Sequence, residues 1–394
     1  MKLKFVSLLL MVTAVSICHA QTINAIKLDS LLQKAEQTHS EAVIIYDHNK
    51  LLVEKYFGIG KPDQKIETMS CTKSIVGVAV ACLLSDGLID SLDIPVSKYY
   101  PELRQGQKKD ITIRHLVNMT SGIQNNPNAT IEIYPSSDFV QLALAAELAS
   151  KPGEVFSYNN KSLNLLAGVI KKITGKRMDI FIRERLFNPL GIKDFTWTLD
   201  DAGNPHVMSG CQIKPSDFVK IGNLVLQKGN YNGKQVVAEK YIDEMVSPCS
   251  QFQGYGMLWW IDYEYTSAVI DDEMLVQLTN AQVSPVFMEK FSRMKGSYDS
   301  FDAYSKKLFS LFGERGREEI AENLDPKKLR YFKLVRSGAI TYRAEGYLGN
   351  YIIVDPRTDL VAIRMISDKS FKMENDNFFD FGKLVLDLKK NKGY

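Results

Sequence analysis

The segment ETMSCTKSIVGVAVACLLSDGLID, Glu67 to Asp90, places a serine and a lysine three residues apart at the head of an apolar helical run. At that spacing Ser70 and Lys73 stand one turn apart on the same helix face. The helix N-terminus supplies a positive partial charge near the serine oxygen. The apolar run after them, SIVGVAVACLL, carries Lys73 into a core rather than into water. Burial lowers the pKa of a lysine, and a neutral lysine beside a serine can take its proton. The competing reading makes Ser70 an ordinary helix cap and leaves Lys73 facing solvent. Spacing alone does not separate the two, because Ser292-Arg-Met-Lys295 repeats it within a strongly charged region.

A second element favours the catalytic reading. KPGEVFSYNNKSLNLL contains Tyr158-Asn159-Asn160 directly before a helical pattern. A tyrosine on a loop facing a Ser/Lys pair can pass a proton to a leaving group. Asn160 can donate a hydrogen bond to an acyl substrate or hold Lys73. On its own this stretch also reads as a helix cap beside a packed aromatic. Other serine-hydrolase layouts find no support. The chain has no G-x-S-x-G elbow, and neither His115 nor His206 lies near a nucleophile signature in sequence.

Around this centre the chain is organised by two hairpin signals. AVIIYDHNKLLVEKYFG (Ala42–Gly58) alternates apolar and polar residues about Asp47-His48-Asn49. GNYIIVDPRTDLVAIRMIS does the same about Asp355-Pro356 and Thr358-Asp359. Strands at both ends with helices between them predict one antiparallel sheet built from both termini, with a mostly helical lobe in the middle. Thr112 reads as the cap of one lobe helix and Gly175 as the stop of another, while Ser216 and Gly229 read as cap and stop of a third. From about Ile261 to Lys333 charged helical patterns interrupt the approach to the last hairpin. This region reads equally as a lid over the site or as a surface decoration.

Bulk properties set limits. The 394 residues are 45% hydrophobic and 24% charged, an ordinary globular composition. A net charge of +3 argues against nucleic acid or an anionic membrane surface as partner. Five histidines without HExxH spacing, and no CxxC pair, argue against a metal site. MKLKFVSLLLMVTAVSICHA has the charge, short apolar core and terminal Ala20 of a signal peptide, so residues 1–20 are expected to be cleaved and the protein to be periplasmic or secreted. Nothing after Ala20 is long and apolar enough to span a membrane. Cys71 and Cys82 lie eleven residues apart in the helix, roughly 16 Å, beyond the roughly 7 Å Cα limit for a disulfide. Cys71 therefore reads better as a small buried residue behind Ser70, and any other pairing among Cys71, Cys82, Cys211 and Cys249 stays open.

Together these residues resemble the serine β-lactamase and penicillin-binding-protein superfamily, and more narrowly its class C-like branch with family VIII carboxylesterases and 6-aminohexanoate-dimer hydrolases. DITIRHLVNMTSGI, KPGEVFSYNNKSLNLLAGVIKKITGK, PLGIKDFTW, GCQIKPSDFVKIGNLVLQKGNYNGKQVV and YGMLWW are similar to blocks of that branch and follow in its order. The resemblance implies an α/β fold (α+β in the strict sense), with a twisted antiparallel sheet from both chain ends, flanking helices and an inserted helical lobe. It implies one domain over 21–394 with an atypical insert at about 261–333, and no cofactor. It also implies a nucleophile in Ser70, a general base in Lys73, a proton relay in Tyr158 and a substrate contact in Asn160.

The family's third motif, Lys-Thr-Gly or a variant, falls on TYRAEGYLG (Thr341–Gly349), which contains no lysine. There Ala344 is expected to offer an oxyanion N–H and Gly346 to let the strand approach the ligand, with Arg343 a conceivable replacement for the lost cation. The expected activity is an exported serine hydrolase acting on a small ester, amide or short peptide. A β-lactam-binding or β-lactam-hydrolysing protein, or a catalytically silent sensor of the same fold, are the alternatives.

Overall fold

The hairpins at the two chain ends form and pair with each other. A computed structural model describes residues 23–327 and 329–389; the segment read as a signal peptide lies outside the described residues. Strand β1 (Ala42–Asp47) turns at His48 and Asn49 into β2 (Lys50–Tyr56), and both turn residues have left-handed φ, 48° and 59°. Asn and His tolerate that region better than most residues. In the insert lie β3 (Trp260–Ile270) and β4 (Gly296–Tyr298). The chain returns through β5 (Lys333–Gly346), β6 (Asn350–Asp355) and β7 (Leu360–Met365). All seven form one antiparallel sheet in the order β2-β1-β7-β6-β5-β3-β4. Ile44 of β1 faces Ile363 of β7, so both termini share the sheet centre as expected.

Both faces of that sheet are covered, which explains the unbroken apolar runs of β6 and β7. Successive strand residues point to opposite faces. Ile44, Ile352, Val354, Val361 and Ile363 join the larger core with helices α2 (Cys71–Ser85) and α3 (Pro215–Leu226). Val43, Ile45, Tyr351, Ile353 and Ala362 join a smaller core with α1 (Ala25–Gln37) and α4 (Phe381–Asp387). Helix α3 starts one step earlier than its sequence signal. Lys214 is its N-cap and Pro215 its first residue, where a missing N–H costs nothing, so Ser216 does not cap it. Of the other signals, Thr112 and His115 make a reciprocal capping box and Gly175 ends its helix at φ 71°, whereas α3 ends at Leu226 with Gln227 as its C-cap, two residues before Gly229.

Helix α2 is buried along its whole length from Cys71 to Leu84, as a helix apolar on every side must be. Its closest neighbour is the Met257–Trp259 segment. A Cβ at Gly77 would lie 2.5 Å from the Met257 carbonyl oxygen, so only glycine permits the approach. Ser74 Oγ donates to the Leu258 carbonyl at 2.7 Å, and Trp259 Nε1 donates back to the Ser74 carbonyl at 3.2 Å. These contacts hold the first turns of α2, and with them Ser70 and Lys73, in a fixed place.

The insert grows from the sheet edge. β3 and β5 pair from Lys333↔Val269 to Arg343↔Trp260, and the helices beyond them pack around their own core of Phe287, Phe291, Leu308 and Ile320. Cys71, Cys82, Cys211 and Cys249 are all buried free thiols.

A buried arginine ties β7 to the loop that follows β5. Arg364 donates through Nε to Ser40 Oγ at 2.8 Å, through Nη1 to the Leu348 and Gly349 carbonyls at 2.8 Å, and through Nη2 to the Thr38 carbonyl at 2.7 Å. Burial pushes its pKa down to about 10. Truncation would orphan three buried carbonyls at roughly 1–3 kcal/mol each. Arg364→Ala is therefore expected to lower unfolding stability by at least about 3 kcal/mol. A drop in urea midpoint with unchanged slope would show it.

Candidate active site

Ser70 sits immediately before α2, at the end of a strained turn. Met69 has left-handed φ, 50°, and the Cys71, Thr72 and Lys73 N–H groups bond to the Thr68, Met69 and Ser70 carbonyls. Among the described residues no acceptor is paired with the Ser70 N–H. Lys73 is 1% exposed, and its Nζ donates to Ser70 Oγ at 2.7 Å and to the Met208 carbonyl at 2.8 Å. No carboxylate is bonded to it among the described residues. Burial therefore acts almost unopposed and lowers its pKa to about 7. The contrast with Ser292-x-x-Lys295 is complete. Both of those residues are exposed, Ser292 bonds to the Glu289 carbonyl, and Lys295 pairs with Asp272.

Tyr158 closes the other side of the serine. Its ring centroid lies 4.9 Å from Lys73 Nζ. Burial raises its pKa to about 12, with the nearby Ser70 acting in the opposite direction, so it stands as a neutral phenol near pH 7. Trp260 stacks on Tyr158 at 5.7 Å and 16°, and Tyr255 meets both rings edge-on. The loop carrying Tyr158 is shaped by Asn159, which donates to the Ile123 carbonyl at 2.6 Å and accepts from the Lys161 and Ser162 N–H groups. Lys161 is buried against Glu132 and ties that loop to the helical turn Ala129–Glu132 on the far side of the cleft.

Ser70 opens onto a cleft of about 660 Å³ whose walls include Glu67, Asn160, Tyr134, His206, Ser209 and Tyr347. Ser70, Lys73, Tyr158 and Asn160 are thus brought together from two separate segments. Asn160 does not hold Lys73; the Met208 carbonyl does, and Asn160 Oδ1 is buried without a partner. Ala344 and Gly346 lie beside this group without lining the cleft. Ala344 is fully buried in the same core as Cys71. At Gly346 a Cβ would come within 2.5 Å of the Thr68 carbonyl oxygen, so β5 runs tightly against the turn that presents Ser70. Pairing of β5 with β3 stops at Arg343↔Trp260, leaving residues 344–346 without a β3 partner. Arg343 is not free to replace a lysine. It makes a bidentate ion pair with Asp262 and a further one with Glu345, on the sheet face shared with α4.

Sequence separation hid part of the cleft. His206 lies far from any nucleophile signature in sequence, yet it lines the cleft with its ring 4.5 Å from Phe139. Glu67 sits three residues before Ser70 and was legible only as part of the opening stretch. No residue of 261–333 is among those lining the cleft.

Residues 28–226, half of the chain, match the family model described as Beta-lactamase. The chain belongs to the beta-lactamase family. Within that family, it is 24% identical over 241 residues to a 6-aminohexanoate-dimer hydrolase of Paenarthrobacter ureafaciens, covering 57% of this chain and 61% of that one. It is 27% identical over 190 residues to Protein flp of Staphylococcus aureus (strain MW2), covering 44% of this chain and 38% of that protein. The chain therefore spans less than two thirds of either relative. Among solved structures, a Bacillus anthracis protein provisionally assigned as a 6-aminohexanoate-dimer hydrolase superposes with a TM-score of 0.64 at 17% identity, covering 91% of this chain and 81% of its own. The octameric penicillin-binding protein homologue of Pyrococcus abyssi superposes with a TM-score of 0.58 at 18% identity, covering 93% and 77%. At such identities the likeness concerns the beta-lactamase fold, a mixed α/β arrangement with an antiparallel sheet flanked by helices.

Proposed function

We propose that this beta-lactamase-family protein is an exported serine hydrolase that cleaves an ester or amide through an acyl-Ser70 intermediate. The observation that carries the reading is the 2.7 Å contact between Ser70 Oγ and a buried Lys73 whose pKa is lowered to about 7. As Ser70 Oγ attacks the carbonyl carbon, its proton passes to the Lys73 amine. The resulting ammonium lies against the Tyr158 ring, where the π-face stabilises positive charge. Tyr158, beside Ser70, delivers a proton to the leaving oxygen or nitrogen as that bond breaks. Water then attacks the acyl-serine, with Tyr158 and Lys73 receiving and returning the proton. The Ser70 N–H and a backbone N–H near Ala344 are the donors proposed for the oxyanion.

A penicillin-type ligand is the weaker reading. Such a ligand presents a carboxylate, and Arg343, the one basic residue of Thr341–Gly346, is already committed to Asp262 and Glu345. A fluorophosphonate probe is expected to label the mature protein and not Ser70→Ala, with p-nitrophenyl butyrate hydrolysed only by the former. Absence of both labelling and turnover in the wild type would sink the enzyme reading.

A further inference from the structure

The electrostatics of the Ser70 cleft carry information about its substrate. Among the described residues lining it, Glu67 is the only carboxylate and there is no lysine or arginine. Glu67 Oε1 accepts from the Gly210 N–H at 3.0 Å, which fixes the half-buried carboxylate in the wall, and Oε2 has no partner among the described residues. Exposed Asp368 adds negative potential to that side, since its charge acts on Glu67. Asn160 also lines the cleft, and its buried Oδ1 has no partner among the described residues. The two positive candidates are both out of reach. Lys73 is buried behind Ser70 and largely neutral above about pH 7, and Arg343 is held by two carboxylates on the other sheet face. His206, desolvated in the wall, is held below its ordinary pKa and so adds no charge near neutrality.

We infer that the cleft takes ester or amide substrates bearing a positively charged group, and disfavours those bearing a carboxylate. An ammonium supplies three donors and no acceptor, the complement of a carboxylate fixed in the wall of a cleft without a competing cation. A carboxylate placed there would meet Glu67 with no cation to offset the repulsion. The inference rests on the Ser70 reading only for where the scissile bond lies; the binding preference is measurable without turnover.

The test uses Ser70→Ala and two sets of neutral, cationic and anionic amides. One set carries the end group on the acyl chain, as the p-nitroanilides of hexanoic, 6-aminohexanoic and hexanedioic acids. The other carries it on the amine side, as N-hexanoyl propylamine, ethylenediamine and β-alanine. In at least one set, calorimetry at pH 8 is expected to show the cation binding about tenfold or more tighter than the anion, the size of one ordinary coupling between charges. Adding Glu67→Gln, which keeps an acceptor for the Gly210 N–H, is expected to collapse that ratio towards one with no change in melting temperature. Equal affinities in both sets, an anion preference, or a ratio untouched by Glu67→Gln would overturn the inference. Wild-type turnover of p-nitrophenyl butyrate is scored separately. Turnover without charge preference defeats this inference alone, whereas charge preference without turnover or labelling defeats the hydrolase reading alone.

Discussion

Lys73→Met is expected to lower kcat/KM for p-nitrophenyl butyrate by about 10³-fold, in the range of a lost general base, while leaving the protein at least as stable as wild type. The two halves have one cause. Lys73 is 1% exposed and has no carboxylate partner among the described residues, so the folded state holds it at a pKa of about 7 against an ordinary 10.5. Between those values the unfolded chain binds the proton and the folded chain does not. Stability of the wild type must therefore rise with pH across that window, and below about 7 the buried ammonium carries its full cost. That cost is on the order of a few kcal/mol. It exceeds the roughly 1–3 kcal/mol lost by leaving the Met208 carbonyl unpaired.

Urea unfolding from pH 7 to 8.5, between the windows where the lowered histidines and the raised buried thiols titrate, should show the rise in the wild type and not in the variant. The same lysine predicts the activity profile: kcat/KM climbs through about pH 7 as the base is uncovered, and this acid limb vanishes from whatever activity the variant retains. A variant with near-normal rates, or a wild type whose activity is flat from pH 5 to 9, would remove Lys73 from the role of base.

The second large effect is expected from Tyr158→Phe. The phenol ring is held by Trp260 stacked on it and Tyr255 at its edge, so deleting only the hydroxyl leaves the packing in place. What disappears is the hydroxyl proposed to pass a proton to the leaving group. Loss of a positioned proton donor typically costs about 10²–10⁴-fold. The loss should be greatest for poor leaving groups, because an amine or alkoxide needs the proton more than p-nitrophenolate does. Rates for an anilide and a p-nitrophenyl ester of the same acid separate the roles. A larger drop for the anilide supports the relay, and an equal small drop for both assigns Tyr158 to packing. Its pKa of about 12 also means that deprotonation of Tyr158 does not shut off activity below about pH 10.

Much of this site could be read in the chain itself, for reasons that are local. An apolar run from Ser74 to Leu84 has to be buried, but that stretch alone left open whether Lys73 goes with it or faces solvent, and the fold buries it. The terminal hairpins follow from period-two alternation around His48-Asn49 and Asp355-Pro356, and their shared sheet from the need to cover two apolar faces. Other features had no local signal. That Met208 rather than Asn160 holds Lys73 depends on a backbone carbonyl 135 residues away, and a carbonyl carries no residue identity to read. His206 enters the cleft because the lobe folds back on α2, which no spacing near Ser70 announces. The fate of Arg343 was open in sequence, since one cation on a strand can face either side. Cross-strand Asp262 and neighbouring Glu345 decided it. Sequence thus named Ser70, Lys73 and Tyr158 as the candidates for the chemistry, because motif spacing and helix pattern are properties of single segments. Only the tertiary structure decided the charge of the cleft, because that is a sum over side chains from segments brought together by the fold.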